Sequence, residues 1–243
     1  MKADGSLQMS ADIMTMQFVG KGSVQSQSAI GGNTVPSTAL VPADFSKNQL
    51  IAVRSPFGAA RFTPFFSSGA GFYNYACAAP VGSTLEYWIF EEARMLSNVP
   101  GWGLRLRNEA GQVTYHSDYD NLRIVGLLDA DTASFDPGRA YATIAPSIAG
   151  VNQTTEPAMP YTQNNLPAPD PEDGSSYPSS TRWRRQNNGK LYGAAVNGGT
   201  VSRASVSFDD VVVQTNIGPL PAAAQTYWSR SLQGMLIVDV TGL

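Results

Sequence analysis

The sequence is poor in the two residue types on which many catalytic and metal sites depend. It has one histidine and one cysteine among 243 residues, so a zinc site with several His or Cys ligands is excluded by count. Cys77 has no intramolecular disulfide partner and lies in an apolar run, which predicts a small buried side chain rather than a reactive thiol. His116 precedes Ser117 on a predicted strand. Neighbouring strand residues face opposite sides, so these two are poorly placed to share a proton.

Charge is also scarce. Only 14% of the residues are charged and the net charge is −3, which gives no electrostatic case for nucleic acid. Free monomers usually carry about 25% charged residues, so a surface covered by neighbouring subunits would explain the shortage, as would a plain neutral β protein. The one basic cluster, residues 182–185, predicts an anchor for a loop or a subunit contact. The alternative is that this cluster binds an acidic lipid or a sugar phosphate at a cell surface.

Long apolar runs are missing. No run approaches the roughly 18 apolar residues that a membrane-spanning helix needs. The polar N-terminus lacks the apolar segment of a signal peptide. We therefore expect no membrane span, and a chain that is made and folded in a cytoplasm.

Motifs for metal binding and catalysis are weak. Oxygen ligands for calcium occur in two groups, but neither has the Gly and Glu spacing of an EF-hand loop, so we predict turn roles for them. These groups are Asp118, Asp120 and Asn121, and Asp129 and Asp131. A glycosidase would need two carboxylates about 5–10 Å apart, and no local motif selects such a pair. No phosphate-binding glycine motif leads into a helix. The sequence predicts no enzyme, no cofactor and no metal.

Glycine, proline and small polar residues are abundant, and 10% of the residues are aromatic. This composition predicts short strands joined by many turns. The predicted fold class is a mainly β protein with an antiparallel sandwich or barrel-like core and long Pro/Gly-rich loops. The predicted organisation is an N-terminal strand and extended arm (1–48), a β domain (49–150), a Pro-rich loop (151–181) and C-terminal strands that complete the core (182–243).

Hydrophobic alternation and short apolar runs give the predicted strands. These are 8–19, ended by Gly20 and Gly22, then 50–54, 59–66, 70–78, 84–96 with a closing helical turn, 141–145, 190–196, 201–208, 211–213 and 234–240. Asn197, Gly198 and Gly199 predict a hairpin turn. Residues 23–47 predict an extended loop, and six prolines in 151–181 argue against a strand of a central sheet there. The aromatic residues of 57–75 predict a core or interface rather than a sugar platform.

The stretch 101–125 reads GWGLRLRNEAGQVTYHSDYDNLRIV. Apolar and polar residues alternate on both sides of a turn at 108–111 and again near 122–124, which predicts a three-stranded antiparallel meander. The glycine-led strand, the N-x-A-G-Q-V-T sequence and the preceding EYWIF at 86–90 resemble a family of small tail proteins encoded by long-tailed bacteriophages. The resemblance covers 85–125. The chain departs from the family pattern at His116, where Asp is more common, and in a long C-terminal extension.

The resemblance implies a structural component of a tail tip, located in the virion, that assembles with sister subunits and other tail proteins. Because tail tips are built around a three-fold or six-fold axis, it also implies a homo-oligomeric ring, with a trimer favoured. The alternative function is a receptor-binding module for a host surface glycan or pilus, and a weaker third is a depolymerase. We expect the Pro-rich loop to face outward, toward the host or another tail protein. The predicted interaction surface consists of Trp102, Trp183, Arg184, Arg185 and Trp228.

Overall fold

The fold is built from strands joined by turns. The structure, a computed structural model, describes residues 15–28, 35–44, 46–62, 71–92, 102–145, 149–154, 159–160, 180–217, 226–230 and 234–243. These residues form 17 strands in antiparallel sheets and contain no helix. The predicted mainly β class is confirmed. The sheets are sandwich-like and none is closed into a barrel.

A six-stranded sheet forms one layer of the sandwich. Its strands, in spatial order, are β1 (Met16–Gln25), β6 (Thr84–Glu92), β3 (Gln49–Arg54), β11 (Tyr141–Ile144), β17 (Met235–Asp239) and β9 (Ile124–Leu128). This sheet contains both the first and the last strand of the described chain. β1 pairs with β6, and β17 lies between β11 and β9. The sheet therefore depends on pairings between residues far apart in sequence.

A nine-stranded sheet forms the second layer. Its main path is β10 (Thr132–Ser134), β15 (Thr200–Ile217), β14 (Ser180–Asn197), β4 (Ala59–Phe62), β5 (Phe72–Cys77) and β2 (Ser37–Pro42). Two further strands pair with β14, namely β12 (Ala149–Thr154) and β13 (Met159–Pro160), and β16 (Thr226–Arg230) pairs with β12. A separate hairpin contains β7 (Arg105–Arg107) and β8 (Val113–His116).

The core lies between the two sheets. At one end of the sandwich, Ile51 and Val53 of β3 pack with Tyr75 of β5. At the other end, the packing joins Ile237 of β17 to Val201 of β15. Side chains alternate across a strand, so these residues come from alternate positions of their strands. Burying each large apolar side chain stabilises the fold by about 1.5–3 kcal/mol.

The six-stranded sheet also buries its second face. Ala52, Trp88 and Phe90 form a cluster there with residues of β11 and β17. Residues 120–123 connect the two ends of this sheet. The Phe18 N–H donates to the Asp120 carbonyl at 2.7 Å and the Leu122 N–H to Met16 at 2.8 Å, while the Asp239 N–H of β17 donates to Arg123 at 2.9 Å. The sheet therefore curls around this cluster, which explains why its strands are apolar on both faces.

Several strand predictions are confirmed, and others are wrong. Strands β3, β11 and β17 lie where the apolar runs predict them. The predicted end of the first strand at Gly20 is wrong, because β1 continues to Gln25 in pairing with β6. The predicted loop 23–47 is also wrong in part, because it contains the end of β1 and all of β2. In both places a partner strand overrides a weak local preference.

The three-stranded meander is wrong. Strands β7 and β8 form the predicted hairpin, but β9 leaves it and pairs with β17 in the six-stranded sheet. The Pro-rich segment 151–181 does contribute to a sheet, because β12 continues to Thr154 and β13 pairs with β14. The short β13 includes Pro160, and proline is tolerated where a strand needs few ladder bonds. The predicted strand portions 8–14 and 63–70, the helical turn after 92, and 161–179 lie outside the described residues.

Cys77 is buried in the core, as predicted. Burial raises the pKa of its thiol to about 11, because the charged thiolate loses its hydration. We expect no reaction of the folded protein with a disulfide reagent such as dithiobis(nitrobenzoate) at about pH 8, and one equivalent of thiol released after unfolding in guanidinium. Rapid labelling of the folded chain would contradict this placement.

Candidate assembly surface

The edge strand β9 presents apolar side chains to solvent. Within the described chain its only strand neighbour is β17, so its other side carries an unpaired row of backbone N–H and C=O groups. Ile124 is 54% exposed, and Val125 and Leu127 are also exposed. Apolar residues that face solvent on an edge strand are unusual in a free monomer. We define these three residues and their free backbone as the β9 edge.

The pairing of β9 with β17 is irregular at Val125. Ile124 pairs with Val238 and Gly126 pairs with Ile237, so Val125 is an extra residue in the ladder. Such a β-bulge bends an edge strand and increases its local twist. The exposed side chains of the β9 edge are therefore not all directed to one face of the sheet. Charged residues flank the apolar run at Arg123 and Asp129 but do not interrupt it.

A long two-stranded ribbon forms the second candidate surface. Strands β14 and β15 have 18 residues each, and their pairing continues without a break from Asn197 and Thr200 to Ser180 and Ile217. At about 3.3 Å per residue the ribbon is roughly 60 Å long. The strands β4 and β10 pair with it only near its turn. Residues 180–186 and 211–217 therefore extend beyond the main path of the sandwich.

The predicted interaction residues fall into two places. The backbone of Trp183, Arg184 and Arg185 lies in the extended part of β14, opposite residues 212–214 of β15. Trp228 lies on β16, which reaches β14 only through β12. The structure thus places these four residues in one branched part of the nine-stranded sheet. Trp102 lies apart from them, next to the β7–β8 hairpin.

Trp102 is the most exposed large apolar residue of the described chain, with 98% of its surface accessible. Leu104 beside it is also exposed, and its backbone is fixed by Ser117. The Leu104 N–H donates to Ser117 Oγ at 3.0 Å, and the Ser117 N–H donates to the Leu104 carbonyl at 3.0 Å. Two hydrogen bonds to Ser117 therefore fix the backbone of Leu104, the second residue of this apolar patch.

The residues considered for catalysis have other partners. His116 is fully buried, and its Nδ1 accepts a hydrogen bond from the Asp118 N–H at 3.1 Å. Its side chain makes no hydrogen bond to Ser117, whose Oγ bonds Leu104 instead. The described residues contain no group of three or more His, Cys, Asp or Glu placed to hold a metal ion. In the same part of the chain, no helix has the length and hydrophobicity to cross a membrane.

Residues of two predicted turns contact arginines through one carboxylate, that of Asp120, and through two backbone carbonyls, those of Asp129 and Asp131. Asp120 lies 3.3 Å from the Arg123 guanidinium. The Asp129 carbonyl accepts from Arg203 Nη2 at 2.5 Å, and the Asp131 carbonyl accepts from the Arg203 N–H at 2.8 Å. These contacts fasten the turns to their own sheet.

The β9 edge is the feature that sequence reasoning missed. Its signal was present, because residues 124–128 are nearly all apolar and do not alternate, as in a strand with both faces covered. The fold leaves this strand at an edge, so the expected cover is not supplied by the described residues. Comparison of the chain with protein-family models, with curated proteins and with solved structures finds no match.

Proposed function

We propose that this chain is a structural component of a bacteriophage tail tip, which assembles with copies of itself and with neighbouring tail proteins. The β9 edge is the observation that carries the proposal. It combines unpaired backbone groups with exposed apolar side chains, which is the chemistry of a strand that awaits a partner. The resemblance of 85–125 to small tail proteins supports the same reading.

A ring-shaped oligomer such as a trimer would cover the β9 edge on every subunit. Proteins that stay monomeric protect an edge strand with lysine, proline or a covering loop. The β9 edge has apolar residues at these positions, and the low overall charge of 14% fits a surface that other subunits cover. Closed cyclic symmetry covers the same patch on every copy, so no edge remains to recruit further chains.

The extended part of the β14–β15 ribbon supports contact with a different partner. A ribbon that continues past the main path of the sheet places the backbone of residues 180–186 and 211–217 at a distance from the core. The predicted residues Trp183, Arg184 and Arg185 lie in it, and tryptophan and arginine are the residues most enriched at the centre of interfaces. In this proposal the β9 edge joins sister subunits, and the ribbon reaches a neighbouring tail protein.

The self-association is tested by measuring the mass of the purified chain by light scattering over a range of concentrations. We expect a stable oligomer, with a trimer favoured, and a shift to monomer in Ile124→Lys, because a buried ammonium in the interface is costly. Val81→Lys is the matched control, since Val81 is 55% exposed against 54% for Ile124 and lies in a turn outside β9. A monomeric wild type, or an unchanged mass for Ile124→Lys, would contradict the role of this edge.

The location is tested separately. Immunogold labelling of phage particles whose genome encodes this chain should place the label at the tail tip. Label on the capsid, or none on intact particles, would contradict a tail-tip component even if the purified chain forms a trimer.

Recognition of a host surface glycan or pilus is the second candidate function, and exposed Trp102 favours it. A ligand that covers this indole should change its fluorescence. We expect host surface glycan to quench the emission of the wild type and to have a much smaller effect on Trp102→Phe. Equal quenching in both proteins would exclude Trp102 as the contact.

A further inference from the structure

A cleft of about 410 Å³ opens where the ends of β3 and β14 meet the start of β6. Arg54 at the end of β3 and Glu86 of β6 form one wall, and Asn197 at the end of β14 forms another. Phe57, in the link between β3 and β4, completes it. Its size lies within the range of about 300–1,000 Å³ that is usual for small-molecule sites.

Hydrogen bonds hold the walls of the cleft in place. The Val196 N–H donates to the Ser55 carbonyl at 2.9 Å, and the Phe57 N–H donates to Ser55 Oγ at 3.3 Å. Asn197 Nδ2 donates to the Pro56 carbonyl at 3.2 Å. The link that carries Phe57 is therefore tied to the turn of the second sheet. A site with walls fixed in this way loses little conformational freedom when a ligand binds.

The charged side chains that line the cleft, Arg54 and Glu86, have opposite charges and sum to zero. Arg54 and Glu86 are directly paired across β3 and β6, and Arg54 Nε lies 3.7 Å from Glu86 Oε2. Both side chains are partly exposed, so they keep donors and acceptors for a ligand while their charges compensate each other. Asn197 Oδ1 accepts no hydrogen bond within the described part of the chain. Thr84 adds a hydroxyl to the lining.

Phe57 supplies the apolar surface. Phe57 is 52% exposed and lines the cleft together with the polar residues. A pyranose ring has one face of C–H groups and a rim of hydroxyls, each of which can donate and accept. An exposed aromatic face next to a carboxylate, a guanidinium and an amide oxygen matches both parts. An anionic ligand fits less well, because Glu86 already compensates Arg54.

We propose that this cleft binds a neutral hexopyranose, with the sugar face on Phe57 and its hydroxyls on Arg54, Glu86 and Asn197. The inference rests on the cleft alone and not on a tail-tip location. It assigns a ligand class to residues that are distant in sequence from Trp102. A terminal sugar of a surface polysaccharide is the natural form of such a ligand.

Saturation-transfer NMR on the full chain tests the proposal, with the methyl glycosides of glucose, galactose and N-acetylglucosamine as probes. At least one should bind, with a dissociation constant of about 1 mM. Phe57→Ala should weaken this binding at least about tenfold, and Glu86→Gln should weaken it without altering the thermal midpoint. Phe72→Ala is the matched control, since Phe72 is also an exposed phenylalanine but does not line the cleft.

Three outcomes would overturn the proposal: no saturation transfer from any of the three glycosides, equal binding by Phe57→Ala and wild type, or equal weakening by Phe72→Ala and Phe57→Ala. Tighter binding of N-acetylneuraminic acid than of every neutral probe would overturn the ligand class. The mass of each variant is measured in the same samples. A failure of sugar binding with an intact oligomer therefore leaves the assembly proposal standing.

Discussion

Replacing Gly193 with alanine should destabilise the protein by about 3 kcal/mol or more. Gly193 lies on β14 next to Ala194, the residue through which this strand pairs with β4. A Cβ at this position would lie 1.9 Å from the Ala59 carbonyl oxygen and 2.6 Å from the Ala60 Cα. Both are backbone atoms, so no side-chain rotation can relieve the overlap. The variant must instead move β4 and break its pairing with β14 and β5.

Thermal unfolding measures the effect. For a chain of this size, a loss of about 3 kcal/mol lowers the midpoint by roughly 10 °C. Gly20→Ala is the matched control, because Gly20 is also a strand glycine and a Cβ there would have no atom within 4 Å. We expect its stability to stay within about 0.5 kcal/mol of the wild type. Equal midpoints for the two variants would show that β14 and β4 are not in close contact.

The close approach of Gly193 to Ala59 illustrates what the sequence could predict and what it could not. The apolar runs of β3, β11 and β17 were readable because a strand in a core needs a continuous supply of branched side chains. The turn after Asn197 was readable too, because Gly198 has a φ of +55° that only glycine adopts readily. The pairing of β14 with β4 could not be predicted, because no local pattern specifies which strand lies beside another.

The same limit explains why the predicted three-stranded meander is wrong: the sequence does not specify which strand pairs with β9. Residues 122–128 carry the pattern of a strand that continues the hairpin, and periodicity fixes which side chains share a face but not which strand lies beside them. The pairing of β9 with β17 joins residues more than a hundred positions apart, and it is this pairing that creates the β9 edge. This candidate assembly surface could therefore be identified only from the order of strands in the sheet.

The candidate cleft also arises from the pairing of strands that are far apart in sequence. The cleft residues come from three separate stretches, with Arg54 and Phe57 in one and Glu86 and Asn197 in the other two. The sequence predicts a core or interface for the aromatic residues of 57–75, whereas Phe57 is 52% exposed. The antiparallel register of β3 and β6 sets Arg54 opposite Glu86, and the end of β14 brings Asn197 to the same place. Trp102 is part of the interaction surface predicted from the sequence, but its exposure is known only from the structure.

The second large effect is expected at Asp239, whose side chain is 1% exposed near the end of β17. Its Oδ2 accepts a hydrogen bond from the Arg139 guanidinium, and its Oδ1 accepts the Thr241 N–H at 2.9 Å. Burial alone would raise the pKa of this carboxyl, but the hydrogen bonds from Thr241 and Arg139 outweigh burial. The pKa of Asp239 therefore lies below its ordinary value.

The sign of the pH dependence follows from this lowered pKa. The unfolded chain binds a proton at this carboxyl near its usual pKa of about 3.9, whereas the folded chain binds it only at lower pH. The charged carboxylate therefore stabilises the fold fully above the unfolded pKa, and this contribution is lost as the pH falls through the folded pKa. Asp44 also has a lowered pKa, but it is present in every variant compared and cancels in their difference.

We expect Asp239→Asn to lose about 2 kcal/mol of unfolding free energy near pH 7 and to converge with the wild type in acid. Asparagine keeps the size of the side chain and an oxygen for the Thr241 N–H, but its NH2 group cannot accept from Arg139. The difference therefore measures the carboxylate charge together with this charged hydrogen bond. Urea titrations at several pH values give the two curves. Asp131→Asn is the control, because its side chain is 96% exposed, and its curve should follow the wild type throughout. A constant gap between Asp239→Asn and wild type down to the acid limit would mean that shape and neutral hydrogen bonds, rather than the carboxylate charge, fasten the end of β17 to Arg139.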